Sequence, residues 1–239
     1  MPIKIKQVVP VTGDFLLDQA TRDYIGKYLD LDTVVDVEVI PEGQYSIESE
    51  YDEEVYNAPQ VVKLCKKAAA EGYDGIFVDC FGDPGVRAAR ECVDIPVFGG
   101  FEPAMLTALG LGDKVGIVTV LENVIPLIEG NIAKAHLGER TTKVRAVNMP
   151  VGDLEDTGKL IEHLVPECRR AIEEDGATVL VLGCTGMIDV AETVQQKLLA
   201  EGFDVPIVEA AQAALSTIEM YAKMKLRHSR LTYMAPPEK

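Results

Sequence analysis

With 239 residues and 26.0 kDa, the chain has room for one large domain or two small ones. Its formal net charge of −16 repels phosphate backbones and anionic lipid heads. That excludes nucleic acid and membrane surfaces as partners and leaves a small molecule, an anionic one if the pocket supplies donors. Hydrophobic residues make up 47%, enough for a sizeable core, yet no apolar run reaches the roughly 18 residues that span a bilayer.

Short β-branched runs alternate with helical stretches along the chain. Residues 3–9 form the first run and 34–40 the second. A helix predicted over 58–71 precedes the run at 75–78, and a short helix precedes 97–99. A helix over 103–109 leads to runs at 115–120 and 144–148. A helix over 158–174 leads to 179–182, and the run at 207–208 enters a helix over 210–218. Near-continuous apolar strands alternating with helices call for parallel sheets covered on both faces, so the fold class is α/β.

The five cysteines are Cys65, Cys80, Cys92, Cys168 and Cys184. The opening segment MPIKIKQVVPV is too short and polar for a secretory signal, so reduced thiols in the cytoplasm are expected. Zinc-type CxxC spacing is absent, and His136, His163 and His228 adjoin no ligand cluster, so no metal is expected. Neither GxGxxG nor GxxxxGK[ST] occurs, so no nucleotide cofactor is expected.

The chain repeats itself. EGYDGIFVDCFGD, from Glu71, aligns with EDGATVLVLGCTGM, from Glu174, and one offset of 104 residues links Gly72, Cys80 and Gly82 to Gly176, Cys184 and Gly186. Asp94-Ile-Pro-Val97 resembles Asp204-Val-Pro-Ile207, and IKQVVPVT (5–12) resembles KVGIVT (114–119). Each half therefore reads as one small doubly wound unit. Residues 1–110 with 217–239 are expected to form the first lobe and 111–216 the second, related by a pseudo-twofold. Open α/β sheets bind ligands beyond the carboxyl ends of their strands. Cys80 and Cys184 sit at such ends, so the repeat predicts two thiols on opposite walls of one cleft.

Two thiols suit a particular chemistry. Inverting a stereocentre needs a base on one face and an acid on the other, and identical groups serve both directions. Asp83 as N-cap with Pro84 next is expected to open a helix after Cys80, and Thr185 or Gly186 one after Cys184. Helix N-termini favour thiolate, and their N–H groups can bind the charge that develops on a carbonyl or carboxylate oxygen. The competing reading of any strand-end cysteine is a small buried hydrophobe, and that is the expectation for Cys65, Cys92 and Cys168.

VDCFGDPGVRAARE (78–91), VLGCTGM (181–187), SIESEYDE (46–53), GIVTV (116–120) and VIPLIEG (124–130) together resemble the aspartate/glutamate/hydantoin racemase superfamily, in particular its hydantoin/allantoin racemase branch. The resemblance implies two flavodoxin-like lobes with the active site in the cleft between them. It implies no cofactor and makes Cys80 and Cys184 the acid/base pair of a racemase or epimerase. It places substrate contacts at Phe81, Gly82, Thr185 and Gly186, with Thr119 beside them. The branch carries Asn-Pro-Asn-Ser/Thr after its first strand. Here the chain reads Val9-Pro10-Val11-Thr12, leaving Pro10 and Thr12 as contacts. Glu209-Ala210 stands where the branch has Asp-Gly. A ureido group loses polar partners at Val9 and Val11, so the substrate is expected to differ from hydantoin itself.

Two other activities fit these residues. Within the superfamily, a cis–trans isomerase or a decarboxylase uses the same cysteines. Outside it, a non-catalytic small-molecule binding module remains. Asp79 points away from Cys80 on an alternating strand and reads as structural. Glu102 reads as a cap or loop charge. Ser46, Glu48 and Glu50 read as solvated, or else as an acidic lid. His136 and His163 read as surface residues. A homo-oligomer is expected, with the tail LTYMAPPEK as a loose arm or subunit contact.

Overall fold

The computed structural model describes residues 2–13, 24 and 26–237. Two four-stranded, all-parallel sheets organise the described residues. The first has strand order β2-β1-β3-β4, from β1 (Lys4–Val9), β2 (Val34–Val39), β3 (Gly75–Val78) and β4 (Val97–Phe98). The second has order β6-β5-β7-β8, from β5 (Val115–Thr119), β6 (Arg145–Ala146), β7 (Val179–Leu182) and β8 (Ile207–Glu209). The α/β class follows, and the same strand order occurs twice.

Contacts divide the chain into two compact units: residues 1–100 with 214–239, and residues 101–213. In the first, α1 (Ala58–Ala70) buries Val61, Leu64, Cys65 and Ala68, an i, i+3, i+4, i+7 stripe, against Val8, Ile76 and Val78. The short α2 (Val86–Cys92) joins the same face. In the second, α4 (Ile125–Lys134) follows β5, and α5 (Thr157–Glu173) buries Leu160, Leu164, Cys168 and Ala171. Asp156 caps α5 by accepting from the Lys159 N–H at 3.0 Å. After α1 and α5 the chain turns through Gly72 (φ +83°) and Gly176 (φ +77°), a left-handed conformation that glycine adopts without strain. The glycine pair found in the repeat thus does the same work twice.

One helix falls outside the expected lobe limits, and the last helix joins the first unit. The helix α3 (Phe101–Leu109) packs on β5, β7 and β8, so it groups with the second unit although the sequence reading closed the first lobe at residue 110. From Ala214 the last helix, α7 (Ala210–Lys223), belongs to the first unit. Gly75 on β3 leaves the space that Ile218 fills, and Tyr221 meets Phe98 edge-on at 5.0 Å. Between these, α6 (Ala191–Ala200) covers the second sheet.

The tail is no loose arm as far as Tyr233. His228 Nε2 accepts from the Val97 N–H at 2.9 Å, and Tyr233 accepts from Arg90 at 3.0 Å. Arg230 donates to Asp94 and to the carbonyls of Arg90, Glu91 and Val93, which closes the carboxyl end of α2. The last two residues of LTYMAPPEK lie outside the described residues. No described helix is long and apolar enough to cross a membrane.

Candidate active site

In a sheet ordered 2-1-3-4, connections leave the central pair in opposite directions and open a crevice beyond its carboxyl ends. β1 and β3 are that pair in the first sheet, and β5 and β7 in the second. Cys80 follows the end of β3 and Cys184 the end of β7, each half-buried. Within each unit the cysteine therefore stands at the position where this topology binds ligands.

The Cys80 turn is held from several sides. Its N–H donates to the Val78 carbonyl at 2.7 Å, and its carbonyl accepts from the Gly100 N–H at 2.9 Å. The Gly82 N–H points back at the Cys80 sulfur at 3.4 Å. Asp83 adopts φ +59° and its carboxylate packs on Gly99, while Gly85, at φ +69°, precedes α2. The expected N-cap at Asp83 is thus displaced. Two left-handed residues interrupt the backbone, and the helix starts only at Val86. The turn itself, not a helix end, brings an N–H to the sulfur.

The Cys184 turn shares one feature with it, a cysteine carbonyl bonded to the N–H three residues on. Its carbonyl accepts from the Met187 N–H at 3.1 Å. Neither Thr185 nor Gly186 opens a helix. Residues 185–190 remain turns, Asp189 adopts φ +58°, and α6 begins at Ala191. The buried Glu209 carboxylate closes this stretch. It accepts from the N–H groups of Asp189, Val190 and Ala191 at 3.4, 3.1 and 2.9 Å, and from the Gln212 amide at 3.0 Å.

The remaining predicted contacts fall around these turns. Phe81 and Thr185 are buried beside their cysteines, and Gly82 and Gly186 are half-buried. Pro10 is buried at the end of β1, where its carbonyl accepts from Asn57 at 2.7 Å. The Thr12 N–H donates to the Gln44 carbonyl at 3.1 Å. Thr119 is fully buried and gives its hydroxyl to the Gly183 carbonyl at 2.9 Å, which braces the strand that ends at Cys184. Asp79 does point inward, accepting from the buried Gln7 amide at 2.7 Å.

Sequence reasoning missed two carboxylates. The segment of Ser46, Glu48 and Glu50 is knit together by Ser46–Glu48 and Ser49–Asp52 bonds, and a π-helical turn (Asp52–Asn57) follows it. From that turn Glu53 reaches the Cys80 loop: a Cβ on Gly82 would lie 2.8 Å from Glu53 Oε2. Glu209 stands out in the sequence only as a departure from the branch. Neither has a local signal, because each meets a turn far along the chain.

The other cysteines separate by environment. Cys65 and Cys168 are fully buried, and burial pushes both thiols up to about 12. Cys92, expected in the core, is half-buried at the end of α2. His136 and His163 lie at the surface.

The family model for Asp/Glu/hydantoin racemases matches residues 17–218. With matched cysteine turns at two switch points, the chain belongs to that family and is an isomerase of the racemase class. Its relatives place it in the hydantoin/allantoin branch. It is 35% identical over 198 residues to the hydantoin racemase of Pseudomonas sp. (strain NS671), covering 82% of this chain and 77% of that one. It is 33% identical over 175 residues to the hydantoin racemase of Rhizobium meliloti, covering 73% and 70%. The structure of allantoin racemase from Pseudomonas fluorescens superposes with a TM-score of 0.90 at 28% identity, over 99% of each chain.

Proposed function

We propose that this protein racemises a small molecule at a carbon next to a carbonyl or carboxylate, using Cys80 and Cys184 as its two proton-transfer groups and no cofactor. The observation that carries the reading is the matched pair of Cys-x-Gly turns, each at the switch point of its own sheet. The mechanism requires the two sulfurs to address one carbon from opposite faces. One thiolate removes the α-proton and becomes a thiol. The electron pair moves onto the adjacent oxygen, where turn N–H groups bind the charge. The opposite thiol then delivers a proton to the other face and becomes the thiolate. The reverse direction exchanges these roles. Pro10, Thr12, Phe81, Gly82, Thr119, Thr185 and Gly186 shape the surroundings, directly or by holding the turns.

The substrate is of amino-acid or hydantoin type. Val9 and Val11 offer no polar side chain where the branch has asparagines, so a ligand with an apolar group at that place suits the site better than allantoin does. The protein acts as a homo-oligomer in the cytoplasm, where its free thiols stay reduced.

The reading is tested by a mass-spectrometric screen in heavy water. Amino acids, 5-substituted hydantoins, allantoin and small dicarboxylates are scored for exchange at the stereocentre. One compound should gain a single deuteron with inversion. Cys80→Ser and Cys184→Ser should each stop inversion, and full inversion in both variants would sink the two-cysteine mechanism.

A further inference from the structure

The two cysteine turns share the Cys-x-Gly step but differ in what presses on them. In the first, the point where a Gly82 Cβ would sit lies 3.6 Å from the Cys80 sulfur and 2.8 Å from Glu53 Oε2. In the second, the equivalent point on Gly186 lies 3.7 Å from the Cys184 sulfur and 3.1 Å from Leu154 Cδ1. The same place therefore holds a carboxylate beside Cys80 and an isobutyl group beside Cys184. Glu53 is well anchored for this. Its N–H donates to the Ser49 carbonyl at 3.1 Å, and its π-helical turn runs into the buried Asn57, which binds the carbonyls of Pro10 and Gln44. Such π-helical turns recur at functional sites.

We propose that Glu53 is a positioning residue that makes the two cysteines unequal: it holds Cys80 as the neutral thiol, so that Cys184 carries the resting negative charge. The inference rests on the proton-transfer pair proposed above. A carboxylate packed on the same glycine as the sulfur disfavours a second negative charge there. The Gly82 N–H, 3.4 Å from the sulfur, works the other way, but the flanking side-chain charges add to that of Glu53. Asp79 and Asp83 flank Cys80 and are acidic, Asp79 turned to Gln7 and Asp83 to Gly99. The ends of β1 and the start of α1, Val9-Pro10 and Ala58-Pro59-Gln60, are uncharged. Arg87 and Arg90 of α2 stack on Tyr233 instead, each 5.4 Å from its ring centre. On the stretch from Cys184 to α6 and on β8 the charged groups are Glu209, engaged by three backbone N–H groups, and the exposed Asp189. The enantiomer whose proton faces Cys184 is then the one the resting enzyme can ionise at once, and the other must wait for a proton to leave Cys80.

The test reads each thiol in the free protein. The intact chain is alkylated with iodoacetamide across a pH series, and labelling rates at Cys80 and Cys184 are mapped by peptide mass spectrometry. In the wild type, Cys80 should reach half-maximal labelling at higher pH than Cys184. Glu53→Gln keeps the shape and removes the charge. It should move the Cys80 profile toward acid by about one pH unit, roughly tenfold in rate at fixed pH, and leave Cys184 where it was. Glu53→Asp should restore the wild-type order in part. The reciprocal change, Leu154→Glu, should move the Cys184 profile toward alkali. An unmoved Cys80 profile in Glu53→Gln, or equal movement of both thiols, overturns the inference. Because no substrate is present, that result would leave the racemase reading intact, whereas unimpaired Cys80→Ser and Cys184→Ser variants would remove the reading and not the charge asymmetry.

Discussion

The two sheets share a strand order and a cysteine turn, yet they tie that turn down differently. In the first unit, a buried Gln7–Asp79 pair lies behind Cys80. The register of the second sheet puts Ile117 and Gly183 at the corresponding places, with no room for a side chain at Gly183. In the second unit, the turn is closed from the neighbouring strand by the Glu209 carboxylate. In the first, that neighbouring place is Gly99-Gly100, and backbone does the tethering. The strand order and the Cys-x-Gly step thus repeat, while the polar groups around them differ. The proposed reaction asks for a proton-transfer group on each face, but nothing in it requires two similar supports.

Breaking the comparison at its centre should have the largest effect. Cys80→Ser and Cys184→Ser should each lower racemisation by about a thousandfold or more, since general acid–base groups contribute about 10²–10⁴-fold. Polarimetry with the responsive substrate would show it, and a tenfold loss in only one variant would mean that one sulfur is dispensable. Next comes Glu209→Ala, which strands three N–H groups at the start of α6. It should lower activity about 10- to 100-fold and stability by about 1–3 kcal/mol, read by urea denaturation. The Gly99→Ala change in the first unit should act through Asp83 instead, so the two supports can be ranked. A smaller effect is expected behind Cys80. Asp79→Ala leaves a buried Gln7 amide unsatisfied and should cost about 1–3 kcal/mol, whereas the double change Gln7→Ile, Asp79→Ala, which imitates the second sheet, should recover most of that loss. Equal stability of the single and double variants would show that the pair does not act as a unit.

The smallest effect concerns alkali. Cys65 and Cys168 hold their protons up to about 12 in the folded chain but ionise near 9 once unfolded. Their folded values are raised, so the stability they support is complete below pH 9 and is lost as pH climbs toward 12. Thermal melting temperature should fall more steeply over that window in the wild type than in Cys65→Ala and Cys168→Ala.

Much of this was legible because it rests on periodic patterns. Val179–Leu182 and Gly75–Val78 were readable residue for residue, since buried parallel strands are uniform apolar runs bounded by glycine and turn residues. The repeat alone separated Cys80 and Cys184 from three other cysteines. Helix starts after the cysteines were not legible. Asp83-Pro84 has the composition of a cap, but positive φ at Asp83 and Gly85 is a property of packing against Gly99 and Ala58. The place of α3 was hidden for a related reason: its apolar face fits either sheet, and only tertiary contact chooses. Glu53 and Glu209 were invisible as site residues because a carboxylate folded against a distant turn looks in sequence like any solvated one.

The placement of α7 has a consequence for synthesis. The second unit is one continuous stretch, complete when residue 213 has been made, while the first needs α7 and the Arg230–Tyr233 anchor from the end of the chain. On the ribosome the inner unit can close while the outer one still waits for α7, and the sheet face around Gly75 is covered only once Ile218 has emerged.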